Sequence, residues 1–191
     1  MDNEIRWNRK NFLYKSFIFS GGLVIGSTIE NCSSGDIKMV KEVRLHSLEE
    51  SLTELEKLEN AKSITTTGNW DINQIFEHMA QSIEYSLSGY PDNKPYIIRK
   101  TIGRIVLSKF LGQGYMSHDL NSPIPGAPTL NKNPDFKPGI SRLKNAIYSF
   151  INYTGEPKIH FVYDSVSKKE YDKIHAMHIA NHLSALDIKF G

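Results

Sequence analysis

The residues in this chain best suited to chemistry are histidines, and three of them stand in a regular array, His175-Ala-Met-His178-Ile-Ala-Asn-His182. An α-helix turns about 100° per residue, so these imidazoles fall within about 60° of one another and line one face. Tyr171, Ala185 and Leu186 continue the stripe, which makes it a face that looks into a protein interior. An unpartnered imidazole there costs roughly 1–3 kcal/mol, and several together need a shared partner. His178 and His182, at i and i+4, have the spacing with which two helical histidines hold one metal ion. A third ligand must come from another element. His78, in Gln74-Ile-Phe-Glu77-His78-Met-Ala-Gln81 at the edge of an apolar stripe, is the candidate. There is neither the His-Glu-x-x-His of zinc proteases nor the Glu-x-x-His of di-iron bundles. Three nitrogens with open positions suit zinc, nickel or iron, and leave room for water or a substrate. The competing reading is a packed helix face of hydrogen-bonded histidines.

Around this trio, Glu77, Tyr85 and His175 are the candidate acid–base groups, with His175 the nearest in sequence to the paired ligands. His46, His118 and His160 carry no spacing signal and are expected on the surface or in loops. The single cysteine, Cys32, excludes an intrachain disulfide and any cysteine-rich metal site. With 191 residues, 39% hydrophobic and 23% charged, the composition is that of one globular domain with an appended segment. A net charge of +2, from 23 basic and 21 acidic groups, gives no field for a phosphate backbone, so no nucleic-acid partner is expected.

The elements that must position these residues read as amphipathic helices. Val43, Leu45, Leu48, Leu52, Leu55 and Leu58 recur at helical spacing. A second helix is expected from an Asp71 N-cap to about Leu87, ended by Gly89-Tyr-Pro91. A third, rich in Ile, Val and Leu, spans about Ile97 to Leu111. Residues 115–138 hold five prolines and Gly126, so a long ordered loop is expected there. A fourth helix runs from Gly139 to about Tyr153. The last begins near Ser167, with Glu170 in the capping-box position, and continues to about Asp187. The fold class is all-α, a helical bundle with one long Pro-rich connection.

Residues 1–35 read as an export leader and 36–191 as the bundle domain. Arg6, Arg9, Lys10 and Lys15 precede an apolar run from Phe17 to Ile29, and polar residues follow. The run, about 13 residues, is short of the roughly 20 that span a bilayer. Asn8-Arg-Lys-Asn-Phe-Leu-Tyr-Lys15 resembles the twin-arginine signal with Lys10 in place of the second arginine, which leaves the general secretory route open. Cys32 is either a lipid-attachment cysteine or an unpaired residue at the leader's end. The expected location is the periplasm or cell envelope, with membrane contact only through the leader or a lipid on Cys32.

Trp70-Asp-Ile-Asn-Gln-Ile-Phe-Glu-His78 through Gly89-Tyr-Pro91, followed at a distance by His175-Ala-Met-His178-Ile-Ala-Asn-His182-Leu, resembles the DinB/YfiT-like superfamily over about residues 43–191, particularly its exported, uncharacterised branch. The resemblance implies an up-and-down four-helix bundle with a metal centre of His78, His178 and His182. It also implies metal-dependent transfer involving small thiols, or hydrolase-like chemistry, on an unidentified small substrate. An exported protein lacks the cytoplasmic thiol pool, which disfavours thiol transfer. Asn181 stands where many relatives of that superfamily carry another histidine. The alternatives are a non-catalytic envelope protein whose ion staples the bundle, and a partner-binding module. A homodimer is left open.

Overall fold

The structure, a computed structural model, describes residues 43–66 and 68–190. The leader read over residues 1–35, Cys32 included, lies outside the described residues. Helix α1 (Leu48–Glu59) starts where the Ser47 hydroxyl accepts the Glu50 backbone N–H at 3.2 Å. This cap places the helix start after the apolar residues Val43 and Leu45, which the periodicity had included. Those residues run instead as irregular chain over the last helix, with the Val43 N–H donating to Ser184 Oγ. Helix α2 (Ile72–Ser88) has the full capping box, Asp71 with Gln74, and stops at Gly89, whose φ of 108° lies in the left-handed region.

The third segment is less regular than its composition suggests. A single turn, Tyr96–Ile98, leads through a π-helical turn, Arg99–Gly103, into helix α3 (Arg104–Gln113). Ile97, Ile102 and Ile105 are 72, 56 and 71% exposed, while Leu107 is buried. The side facing the protein is held by Gly103, where an added Cβ would collide with the Val162 carbonyl oxygen. Arg99 and Lys100 also pair with Asp164 at 2.7 and 2.8 Å. A wider turn and a bare glycine let this segment lie flat against residues 162–164, so its isoleucines point outward.

Residues 115–136 carry no regular element, as their prolines require. Helix α4 (Lys137–Asn152) takes Pro138 into its first turn, where the missing N–H costs nothing. Helix α5 (Lys168–Ser184) has the Ser167–Glu170 capping box. It ends earlier than its histidine stripe suggested, because Leu186–Lys189 is a strand, β2. That strand pairs antiparallel with β1 (Ser63–Thr66), Ile64 opposite Ile188. The all-α expectation is thereby corrected: the molecule is mostly helical with a small two-stranded sheet, built from β-branched Ile64, Thr65 and Thr66 against the alternating Leu186 and Ile188. α1 and α2 each pack on both α4 and α5, and α3 packs on α5. The shared core includes Leu48, Phe76, Ile147, Phe150, Tyr171 and Ile179. Among the described residues, no helix is long and apolar enough to cross a membrane.

Candidate metal centre

The capping boxes of α2 and α5 fix the helical phase of the histidines that follow them. His78 projects from the middle of α2, and His178 and His182 from successive turns of α5 toward it. One nitrogen from each ring lies within 4.8 Å of the others. Ring centroids are 5.1 Å apart for His78–His178, 5.0 Å for His78–His182 and 4.8 Å for His178–His182. His178 Nε2 and His182 Nε2 face each other at 3.1 Å. Nitrogens held tetrahedrally about 2.0–2.1 Å from one ion stand about 3.3 Å apart, so the pair is spaced for a shared ion. It is equally spaced for one N–H···N bond.

All three rings are buried, 2 to 9% exposed, and His78 Nδ1 has no hydrogen-bond partner among the described residues. Burial, then the neighbouring His118, pushes the His78 pKa down to about 4. Burial first and neighbouring imidazoles second hold His178 and His182 well below the usual histidine range. These rings are therefore neutral at pH 7, the protonation state that binds metal. An orphaned nitrogen, neutral imidazoles and convergence from two rigid helices make a donor set that fits a divalent ion.

A fourth histidine joins the cluster from outside the helices. His118, on the Pro-rich loop, has its ring centroid 4.9 Å from that of His178 and 5.3 Å from that of His182. Its spacing in the sequence gave no sign of this, because a loop has no period from which to read a facing direction. Burial lowers its pKa, partly offset by its hydrogen bond to the Asp119 carbonyl.

The three proposed acid–base groups lie on the same two helices, Glu77 and Tyr85 on α2 and His175 on α5. Glu77, a quarter-turn from His78 on α2, accepts from the Asn131 backbone N–H at 3.0 Å and from its side-chain amide at 3.4 Å, which ties the long loop to the helix. Tyr85, two turns further on, packs its ring on Tyr90. His175 is buried, stacked on Tyr171 at 5.1 Å and edge-on to Phe150 at 5.5 Å. It belongs to the core beside the cluster, with its pKa pushed down to about 3 by burial. His160 was expected on a surface or loop. It is in a loop but buried, and its Nδ1 accepts from the Val162 and Tyr163 backbone N–H groups at 3.0 and 3.2 Å. His46 is exposed as expected.

A cleft of about 220 Å³, lined by Trp70, Ile75, Leu120, Asn121 and Ala185, reaches His182. Trp70 also packs on His78 with centroids 4.9 Å apart. A larger groove of about 390 Å³ between α2 and α4, lined by Glu84 and Arg142, contains none of the histidines.

Fold and site together define a mostly helical protein in which three histidines from two helices converge within metal-binding reach. The chain belongs to the family described as Protein of unknown function (DUF1569), whose model matches residues 38–189. That span takes in every described helix, both described strands and all four clustered histidines. Neither a curated protein nor a solved structure matches the chain.

Proposed function

We propose that this protein holds one divalent metal ion at His78, His178 and His182, in a DinB-like four-helix bundle, and uses it in hydrolysis or group transfer on a small substrate in the cell envelope. The observation that carries the metal reading is the mutual approach, within 4.8 Å, of one nitrogen from each of three buried rings. The closed ring of packing in which α1 and α2 each touch α4 and α5 supports the bundle. The basic, apolar and polar order of residues 1–35 supports export.

A bound zinc, nickel or iron ion would polarise a substrate oxygen or lower the pKa of a bound water. The chain's own contribution is positional. α2 and α5 present neutral nitrogens without rearrangement, and Trp70 shields the His78 side from water. The cleft at His182 admits a ligand of modest size only. An enzyme is favoured over a purely stapled bundle because that cleft reaches a ligand and does not stop short of it.

The test is elemental analysis of the full chain after chelator stripping and exposure to zinc, nickel and iron, alongside His182→Ala. About one ion per chain is expected in the parent and none in the variant. Small ester, amide and thiol substrates should be turned over only by the loaded parent. A parent chain that stays metal-free under all three exposures would overturn the metal reading; a loaded one inert to every substrate would overturn the catalytic one.

A further inference from the structure

We infer that His118 is a fourth ligand of the same centre, supplied by the Pro-rich loop, so that the resting site is closed by four imidazoles. This rests on the three-histidine reading above and extends it. His118 Nδ1 lies 2.9 Å from the Asp119 carbonyl oxygen. A carbonyl only accepts, so Nδ1 carries the proton and Nε2 is left with a bare lone pair. That Nε2 is buried and has no hydrogen-bond partner among the described residues. An imidazole that donates one nitrogen's proton to a backbone carbonyl and offers the other nitrogen bare is in the state that metal-bound histidines adopt.

The ring centroid also stands close to the spacing of ligands that share an ion. Four imidazoles arranged tetrahedrally on one ion, with bonds of about 2.0–2.1 Å, have centroids about 5 Å apart. His118 lies 4.9 and 5.3 Å from His178 and His182, much as His78 lies 5.1 and 5.0 Å from the same two rings. A base acting across an intervening water would stand farther out. His118 is not one of the three whose nitrogens lie within 4.8 Å of one another, so ligation needs one support to give. The loop is the support that can.

Polar contacts keep that loop beside the site. Asp119 accepts the Asn121 N–H and the Ser122 hydroxyl, each at 3.0 Å. Asn121 Oδ1 in turn accepts the Asn69 N–H at 3.0 Å, next to Trp70. These contacts tether His118 at the mouth of the site through a loop, and, unlike the helical trio, it sits on a support that can shift to reach an ion or yield to a competing ligand.

Cobalt(II), whose visible absorption reports its ligands, distinguishes the alternatives. Stripped full-length protein, His118→Ala and His182→Ala are titrated with cobalt(II), with zinc(II) competition for affinity and circular dichroism for folding. His118→Ala should bind at least about 10- to 100-fold more weakly, the loss that even an outer partner of a ligand causes. Its spectrum should change on addition of free imidazole and return to that of the parent, at imidazole concentrations too low to compete with the tethered His118 of the parent. Equal affinity and identical spectra in the parent and His118→Ala, with binding abolished in His182→Ala, would overturn the fourth ligand and leave the three-histidine site standing. A parent that binds neither cobalt nor zinc overturns both.

Discussion

At the scale of single residues, the histidines divide by what their nitrogens meet. His160 gives Nδ1 to two backbone N–H groups, and His175 is packed among aromatic rings with Nε2 unpartnered. Neither can take a proton in the folded state without loss, and burial holds His160 well below the ordinary range and His175 near 3. The unfolded chain binds those protons below about pH 6.5. Folding is therefore fully supported by them above that pH, and the support is lost as pH falls from about 6.5 toward the folded-state values. Each such group contributes a slope of about 1.4 kcal/mol per pH unit in this window. Denaturant melts of the chelated protein between pH 6.5 and 4.5 should steepen accordingly. His175→Phe, which keeps the stack and removes the titrating nitrogens, should make the slope shallower by about one proton's worth; an unchanged slope would refute the assignment. The sequence exposed part of this site. The i, i+4 pair was legible because a helix converts spacing into direction, and His78 because it lies on an apolar stripe. His118 was not, since a proline-rich loop has no periodicity, and nor was the engagement of Glu77 with Asn131, which depends on residues far apart in the chain.

Elements were legible where their signals are local. The Asp71 cap and the Ser167–Glu170 capping box mark two helix starts that the structure reproduces. The sheet was hidden because β1 and β2 are four residues each and pair across more than a hundred intervening residues. The Ile97–Ile105 stretch misled for a different reason. Its apolar residues promise a buried helix, but the contact that seats it is made by the residue with no side chain. Gly103 lies against the Val162 carbonyl, whereas Gly112, in the same helical run, has nothing within 4 Å of a built Cβ. The two alanine substitutions should therefore differ in sign. Gly103→Ala must push the π-helical turn off residues 162–163 and should destabilise by about 1–3 kcal/mol, as overpacking does. Gly112→Ala gains helix propensity in open space and should stabilise by up to about 1 kcal/mol. Urea melts of both variants check this, and equal destabilisation would show that the flat seating of α3 does not depend on the glycine.

At the scale of the whole molecule, the candidate centre joins α2 to α5, two elements separated in the chain by α3, the Pro-rich loop and α4. Without an ion, the folded state keeps a cluster of neutral imidazoles with orphaned nitrogens in its interior, a standing cost that folding must overcome. An ion that binds the folded chain removes that cost and cross-links the two helices, and it finds no such preformed set in the unfolded chain. Linkage then sets the gain at about 2.7 kcal/mol when free metal is 100-fold above its dissociation constant. For a domain of this size each kcal/mol moves Tm by about 2–4 °C, so zinc should raise Tm by roughly 5–11 °C over the chelated protein. The same addition to His182→Ala should raise Tm by clearly less, because the ion loses one of its two bonds to α5 and binds more weakly. Scanning calorimetry of parent and variant, with zinc and with chelator, separates this from zinc binding loosely at surface histidines such as His46, which would move both proteins alike. A parent whose Tm ignores zinc would mean that the histidines are a packed cluster held by their own N–H···N contacts, and that the helices need no ion to stay together.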